Sequence, residues 1–320
     1  MPTENNRGFI TVATGSERYY ILAYNLLLSY RYHSKSPMPF AILCDRHNAW
    51  TDAFDEVIII EDPACSYYDK MRILDLSPFD ETLFIDADSL AYKDLNGLWD
   101  FFKDSPDIGL LGGVLQNDSD RGFWDFENLG DLKQKVDYKI MCQGGLYYVR
   151  NNGRELPALL ETCRYIAEHY FEYKFSIFRD VLEDETILCL AAAVHHIRPV
   201  IMWDVLFAYY PEVKCLSANI RSGHLRFIWP RGSCLPNSKA FFLHFGTNNS
   251  IDPRSNSIYY RELFRLTYHP DRRENLKDRI VLNIRGAVNH YRVFHILASL
   301  FPKRLRNKYN KVELRGHELV

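Results

Sequence analysis

The chain has 320 residues, of which 47% are hydrophobic and 25% charged, and this composition is typical of a globular protein with one large α/β domain or two small ones. The formal net charge of -2 gives no overall positive field, so we do not expect a nucleic-acid partner. We expect no signal peptide and no membrane span, because the first residues lack a basic and an apolar stretch and the longest apolar run, residues 187–194, is short. The seven cysteines are scattered and odd in number, which favours reduced thiols and a cytoplasmic location.

The first quarter of the chain alternates between strand and helix patterns. The predicted strands are residues 8–14, 39–44 and 57–60, and the predicted helices are 17–32, with Ser16 as its N-cap, and 67–76. This alternation predicts a mostly parallel sheet flanked by helices. Acidic residues follow the second and third strands, at the sheet edge where ligands bind in open α/β folds.

A fourth predicted strand, residues 83–85, ends in Asp86-Ala87-Asp88. Two carboxylates at the end of a buried strand are unfavourable unless they are paired or hold a cation. Residues i and i+2 lie on one face of a strand, so both carboxylates could reach one ion. The alternative is that one carboxylate caps the next helix and the other lies in solvent. This stretch alone does not decide between a metal site and that alternative.

The middle of the chain adds further strands, helices and a polar excursion. Residues 108–114 and 140–149 predict strands, and the aromatic stretch 116–138 between them is a candidate excursion on the acceptor side of a substrate pocket. Gly144 and Gly145 interrupt the second of these strands, which indicates either a bulge or the close approach of a ligand. Helices are predicted over 155–171 and 180–194, and a short edge strand over 196–202.

The last quarter contains a short strand and a basic segment. Residues 240–246 predict a late strand that carries His244, and helices are predicted from about residue 256 onward. Residues 285–315 combine apolar and basic side chains. Such a segment is either a solvated helix packed on the domain or an amphipathic helix on an anionic membrane surface.

These motifs, in this order, resemble those of retaining glycosyltransferases of family 8, the glycogenin and bacterial lipopolysaccharide galactosyltransferase type. The resemblance covers roughly residues 8–250. It rests on Lys70 within residues 68–72, on residues 84–88 with their two aspartates, on Gln143-Gly144-Gly145-Leu146, on Asp184-Glu185 and on His244-Phe245-Gly246. The last motif lacks the family's spacer residue before the glycine, and Thr247 stands where the family has a lysine.

The resemblance implies a GT-A fold, with a nucleotide-sugar-binding catalytic domain over residues 1–250 and a helical, basic extension over 251–320. The implied reaction is metal-dependent transfer of a sugar, with retention at the anomeric carbon, from a nucleoside diphosphate sugar to a glycan or lipid-linked acceptor. A UDP-sugar is the expected donor.

The resemblance also assigns roles to individual residues. Asp86, Asp88 and His244 would hold Mn²⁺ or Mg²⁺, with the imidazole favouring Mn²⁺. Asp184 and Glu185 would be catalytic at the donor sugar, by nucleophilic attack or by supporting same-face attack of the acceptor. The implied contacts to the sugar nucleotide are Ala13, Thr14, Tyr19 or Tyr20, Lys70, Asp86, Gln143, Gly144 and Gly145.

Other interpretations of the same residues stay open. His244 could be a packed core residue, and Asp184 and Glu185 could be only favourable first-turn acids of a helix. The intact pair Asp86 and Asp88 argues against a catalytically silent sugar-nucleotide-binding protein, but the atypical residues around His244 keep that alternative open. A nucleotidyltransferase is disfavoured, because residues 14–18 are not the glycine-rich, basic loop that would hold a triphosphate.

Overall fold

The computed structural model describes residues 6–175, 181–200, 206–209, 214–228, 240–246 and 257–267. The strands are β1 (Arg7–Ala13), β2 (Phe40–Cys44), β3 (Glu56–Ile59), β4 (Glu81–Ile85), β5 (Ser89–Ala91), β6 (Ile108–Leu115), β7 (Lys139–Arg150), β8 (Phe207–Tyr209), β9 (Lys214–Asn219), β10 (His224–Ile228) and β11 (Phe242–His244). The α-helices are α1 (Glu17–His33), α2 (Ile73–Leu76), α3 (Trp99–Phe102), α4 (Leu156–Glu168), α5 (Asp184–Val194) and α6 (Ser257–Thr267). A 3₁₀ helix, Tyr67–Arg72, leads into α2.

The main sheet has six strands in the order β3-β2-β1-β4-β7-β6. The pairs β2–β3, β1–β2 and β1–β4 are parallel, whereas β7 runs antiparallel to both β4 and β6. The prediction of a mostly parallel sheet flanked by helices is therefore confirmed. The carboxyl ends of β1, β2 and β4 lie at one edge, which is the ligand-binding edge of such sheets.

Strand β7 reaches this edge although its direction is reversed. It is 12 residues long, and Leu146 in its middle pairs with Ile85 at the end of β4. On its other side the register shifts, so that Leu111 of β6 faces the four residues 143–146. The two glycines therefore lie in a bulge of β7, beside the end of β4.

Both faces of the main sheet are covered by hydrophobic side chains. Helix α1 packs Tyr20, Leu26 and Tyr30 on one face, and α4 and α5 cover the other. Stretch 116–138 contributes Trp124 and Leu129, both 0% exposed, to this second core. This stretch is thus anchored by buried side chains, and its acceptor-side role remains a prediction.

A second sheet brings the late strand to the end of β4. Strand β11 lies between β5, to which it is antiparallel, and β8, to which it is parallel. His244 pairs with Ser89, and the N–H of Phe245 donates to the carbonyl of Asp88 (3.0 Å). Because β5 follows Asp88 directly, this pairing places His244 beside the two aspartates.

Two helix boundaries differ from the sequence prediction by more than two residues, and one predicted element is absent from its described part. Helix α4 ends at Glu168, whereas it was predicted to end at residue 171, and α5 begins at Asp184, whereas it was predicted to begin at residue 180. The predicted edge strand 196–202 is wrong for its described part, since residues 197–200 form no strand. His196 has φ 55°, a left-handed conformation that interrupts a strand, although the N–H of Val200 still donates to the carbonyl of Leu110 (2.9 Å).

The predicted C-terminal extension is described only at its start. Helix α6 packs on the rest of the chain through Tyr259, which lies against Phe245 and accepts a hydrogen bond from Asn25 (3.1 Å). Segment 285–315 lies outside the described residues, and the boundary near residue 250 remains a prediction. Among the helices of the described ranges, none is both long and apolar enough to cross a membrane.

Candidate active site

Three potential metal ligands converge at the carboxyl end of β4. One oxygen each of Asp86 and Asp88 and one imidazole nitrogen of His244 lie within 4.8 Å of one another. Nε2 of His244 is 2.9 Å from Oδ1 of Asp88 and 3.6 Å from Oδ2 of Asp86. Asp88 is 2% exposed, and the strand that follows it is β5, so the alternative of a helix cap and a solvated carboxylate does not describe this site.

The hydrogen bonds around these three side chains are incomplete. Within the part of the chain that the structure describes, Oδ1 of Asp88 and Nδ1 of His244 are buried without a hydrogen-bond partner, although Nε2 approaches Asp88 closely. Burial would lower the pKa of His244, but the Asp88 and Asp86 carboxylates raise it above its usual value. A buried carboxylate oxygen without a donor is unfavourable, and a bound cation would satisfy it. Two carboxylates and an imidazole fit Mn²⁺ or Mg²⁺, with Mn²⁺ favoured.

Because residue 145 is a glycine, the His244 ring can lie directly against its backbone. A Cβ atom at residue 145 would lie 2.5 Å from Nδ1 of His244, closer than any real contact. The carbonyl of Gly145 also accepts a hydrogen bond from the N–H of Asp86 (3.1 Å). The predicted bulge is therefore present, and the group that lies against Gly145 is a protein side chain, whereas the close approach of a ligand stays a prediction.

Lys70 connects the metal-ligand candidates to the start of α5. Its Nζ lies 2.7 Å from Oδ2 of Asp86 and 3.4 Å from Oδ2 of Asp184. Burial would lower the pKa of Lys70, but the two carboxylates raise it well above its usual value. Burial alone would raise the pKa of Asp86, but the positive charges of Lys70 and His244 lower it below its usual value. The pKa of Asp184 is raised, because burial outweighs the effect of Lys70. The site thus contains a fixed positive charge between two carboxylates.

Glu185 lies against the bulge of β7. Its Oε1 accepts a hydrogen bond from the N–H of Gly144 (2.5 Å), and a Cβ at residue 144 would lie 2.6 Å from its Cγ. Burial, together with the Asp184 carboxylate, raises the pKa of Glu185 to about 7. Near neutral pH this carboxyl group therefore exists in both protonation states. Gln143 turns back on the same bulge, where its Oε1 accepts from the N–H of Gly145 (3.3 Å).

The predicted nucleotide contacts lie at the end of β1. Ala13 and Thr14 are buried, and Oγ1 of Thr14 donates to Oδ2 of Asp69 (2.6 Å). Tyr20 is a core residue that is 0% exposed and donates to Asp45, so it has no surface for a ligand. Tyr19 is partly exposed. Burial, followed by the charges of Tyr67, Asp88 and Asp86, raises the pKa of its hydroxyl. Of the two tyrosines, Tyr19 is the better candidate contact.

Three further residues at the site were not predicted. Tyr209 packs its ring 5.2 Å from that of His244, Tyr67 lies 5.6 Å from Nζ of Lys70, and Asp69 holds Thr14. Tyr209 ends a three-residue strand that has no sequence periodicity. Asp69 directly precedes Lys70, and that adjacency was the only signal available for it in the sequence.

Comparisons with known proteins give a likeness in structure only. No protein-family model matches the chain, and no curated protein matches it. The apo structure of the bifunctional glycosyltransferase WbbM aligns with 90% of this chain at 12% identity and a TM-score of 0.53. That alignment covers 53% of WbbM, so this chain spans about half its length.

Two other solved structures align with lower scores. The galactosyltransferase LgtC, in complex with donor and acceptor sugar analogs, aligns with 81% of this chain and 94% of its own (12% identity, TM-score 0.48). The apo form of mouse xyloside xylosyltransferase 1 aligns with 77% of this chain and 99% of its own (13% identity, TM-score 0.48). The alignment with WbbM carries the argument on fold: the chain has the GT-A glycosyltransferase fold that its sequence predicts.

Proposed function

We propose that the protein is a metal-dependent glycosyltransferase that takes a sugar from a nucleoside diphosphate sugar, with a UDP-sugar as the expected donor. The observation that carries the proposal is the convergence of one potential ligand atom each from Asp86, Asp88 and His244, all within 4.8 Å of one another, at the ligand-binding edge of this fold. Lys70, Asp184 and Glu185 adjoin this cluster, so charge stabilisation and donor-sugar contacts would lie side by side.

Each side chain has a role that follows from its position. Asp86, Asp88 and His244 would hold Mn²⁺ or Mg²⁺, and that ion would neutralise the charge that develops on the diphosphate leaving group. Lys70 adds a second positive charge beside the same group. Ala13 and Thr14, at the end of the neighbouring strand β1, and Tyr19, in the first turn of α1, would contact the nucleoside.

The residues at the start of α5 would act on the donor sugar. Asp184 would accept hydrogen bonds from sugar hydroxyls while Lys70 balances its charge. Glu185 is fixed by Gly144 and would face the reacting carbon, either as a nucleophile or beside an acceptor that attacks on the same face. Retention at the anomeric carbon, and a glycan or lipid-linked acceptor, are parts of the proposal that rest on the sequence resemblance.

Hydrolysis of the donor tests the proposal without knowledge of the acceptor. Release of nucleoside diphosphate would be measured from UDP-, GDP- and ADP-sugars with Mn²⁺, with Mg²⁺ and with EDTA. We expect one donor to be hydrolysed, metal to be required, and Asp88→Asn to abolish turnover. Asp100→Asn, an exposed aspartate on α3, is the matched control and should retain full turnover.

The other outcomes are equally informative. Metal-dependent binding of a nucleotide without hydrolysis or transfer to any acceptor would indicate the silent binding protein instead. Neither binding nor hydrolysis across the panel would contradict the proposed function altogether.

A further inference from the structure

Asp69 is a buried carboxylate that joins three segments around the candidate site. It is 1% exposed. Its Oδ2 accepts a hydrogen bond from Oγ1 of Thr14 (2.6 Å), and its Oδ1 accepts from the N–H of Ala64 (2.8 Å). Both oxygens are thus used by donors from different parts of the chain, so Asp69 fixes the end of β1 relative to the loop before the 3₁₀ helix.

The same short helix carries Lys70, the next residue. The carbonyl of Lys70 accepts a hydrogen bond from the hydroxyl of Tyr147 in β7 (3.0 Å). The 3₁₀ helix is therefore attached at two points, to β7 through Tyr147 and to β1 through Asp69. Its Lys70 side chain then reaches Asp86 and Asp184. Thr14 and Lys70, the candidate contacts for the two ends of a nucleotide, are connected through one intervening side chain.

A charged residue is an unfavourable choice for a purely structural link at this position. Burial of a carboxylate has a large desolvation penalty, and carboxylates are rarely fully buried without a cationic partner. The compensation is that hydrogen bonds to a carboxylate are about twice as strong as neutral ones and shorter. Such bonds suit a link whose distance has to be kept constant.

We propose that Asp69 is a positioning residue, which holds the nucleoside-contacting end of β1 and Lys70 at a fixed separation so that one nucleoside diphosphate can bind to both. This inference rests on the proposed function. A ligand with two joined parts gains affinity over its separate parts only if the protein holds both subsites at the matching distance. Asp69 itself contacts neither part of the ligand.

The test compares a whole ligand with its fragments. Calorimetric titration in Mn²⁺ would first identify which of UDP, GDP and ADP binds the wild type most tightly. The dissociation constants of that nucleoside diphosphate, of its nucleoside and of inorganic pyrophosphate would then be measured for each variant. For Asp69→Ala we expect roughly tenfold weaker binding of the diphosphate, with each fragment changed by less than about threefold.

Three further variants make the result specific. Asp69→Asn should weaken binding of the nucleoside diphosphate less than Asp69→Ala does, because its amide can still accept from Ala64 and donate to Thr14, although through weaker, neutral hydrogen bonds. Asp45→Ala is the matched control, since Asp45 holds the same turn through the N–H of Gly15 (3.0 Å) and is not bonded to the 3₁₀ helix. Asp45→Ala should weaken the binding of the nucleoside and the binding of the nucleoside diphosphate by the same factor. If Asp69→Ala does not fold, Asp69→Ser replaces it, because a serine hydroxyl cannot reach both partners.

Two results would overturn the inference while leaving the proposed function intact. One is unchanged binding of the nucleoside diphosphate by Asp69→Ala. The other is an equal loss of affinity of Asp69→Ala for the nucleoside and for the nucleoside diphosphate, which would show that Asp69 supports only the end of the site that contacts the nucleoside. A wild type that binds none of the three nucleoside diphosphates would overturn the proposed function, and this inference with it.

Discussion

Gly145 and His244 are in contact across the site: a Cβ atom at residue 145 would lie 2.5 Å from Nδ1 of the imidazole. The two residues come from different sheets, and the contact fixes where the imidazole can lie relative to Asp86 and Asp88. We therefore expect Gly145→Ala to displace His244 and to weaken Mn²⁺ binding by roughly tenfold or more. Isothermal titration with Mn²⁺ measures this change.

The matched control is Gly113→Ala in β6, where an added Cβ has no atom within 4 Å. It should bind Mn²⁺ like the wild type. Equal affinities for Gly145→Ala and the wild type would mean that His244 is not a metal ligand.

Metal binding should also be visible in stability. An ion that binds only the folded protein raises its free energy of unfolding, by about 2.7 kcal/mol at a free concentration 100 times Kd. We expect Mn²⁺ to raise the Tm of the wild type, and EDTA to reverse the change. Asp88→Asn should show no Mn²⁺-dependent shift, whereas Asp100→Asn should show the full one. A shift that persists in Asp88→Asn would place the ion elsewhere.

Lys70→Met tests the buried charge between Asp86 and Asp184. The substitution leaves two carboxylates without their cation, and we expect the free energy of unfolding in EDTA to fall by about 3 kcal/mol. Adding Asp184→Asn should recover part of this loss, because one uncompensated charge is removed. Urea denaturation measures both effects. Lys133→Met, which breaks an exposed pair with Glu127, is the control, with an expected change below about 1 kcal/mol.

Glu185 should make the stability of the metal-free protein depend on pH. Its pKa is about 7 in the folded protein against 4.5 as the ordinary value, so the folded state binds more protons than the unfolded chain between these values. Its contribution to the free energy of unfolding is therefore greatest below about pH 4.5 and is lost as the pH rises through about 7, by roughly 3 kcal/mol in total.

Urea denaturation of the wild type and Glu185→Gln in EDTA, from pH 4 to pH 8, measures this contribution as the difference between the two curves. Glu161→Gln, an exposed residue of α4, should give a curve parallel to that of the wild type. Parallel curves for Glu185→Gln and the wild type would contradict the raised pKa.

The sequence predicted those parts of the site that follow strong local patterns. The strand before Asp86 and Asp88 is a continuous apolar run, so this pair was found from its neighbours alone. Asp184 and Glu185 stand at a predicted helix start, and the family resemblance was needed to give them a role at the donor sugar. The strand order of the sheet could not be found in this way, because the reversal of β7 depends on pairing with β4 and β6. Short elements such as β8 and β5 have too few residues for any periodicity, and Tyr209 was missed for that reason.

The choice between alternatives also required the structure. The sequence allowed His244 to be a packed core residue, and it is indeed buried; only its distances to Asp86 and Asp88 show that it faces two carboxylates. Similarly, Tyr19 and Tyr20 are adjacent in the chain, and only their burial separates the core residue from the candidate contact. No sequence pattern indicated that Asp69 connects two segments, because its partner Thr14 is distant in sequence and its partner Ala64 lies in a loop.

Strand β7 touches three parts of the candidate site, each through a different residue. The Gly145 carbonyl binds the N–H of Asp86, the Gly144 N–H binds Glu185, and the Tyr147 hydroxyl binds the backbone of Lys70. A one-residue insertion or deletion between Cys142 and Tyr147 would therefore misalign the candidate metal ligands, the Glu185 carboxyl group and the buried Lys70 cation in one step. Divergence of this protein should accordingly preserve the length of this segment more strictly than the identity of most side chains within it.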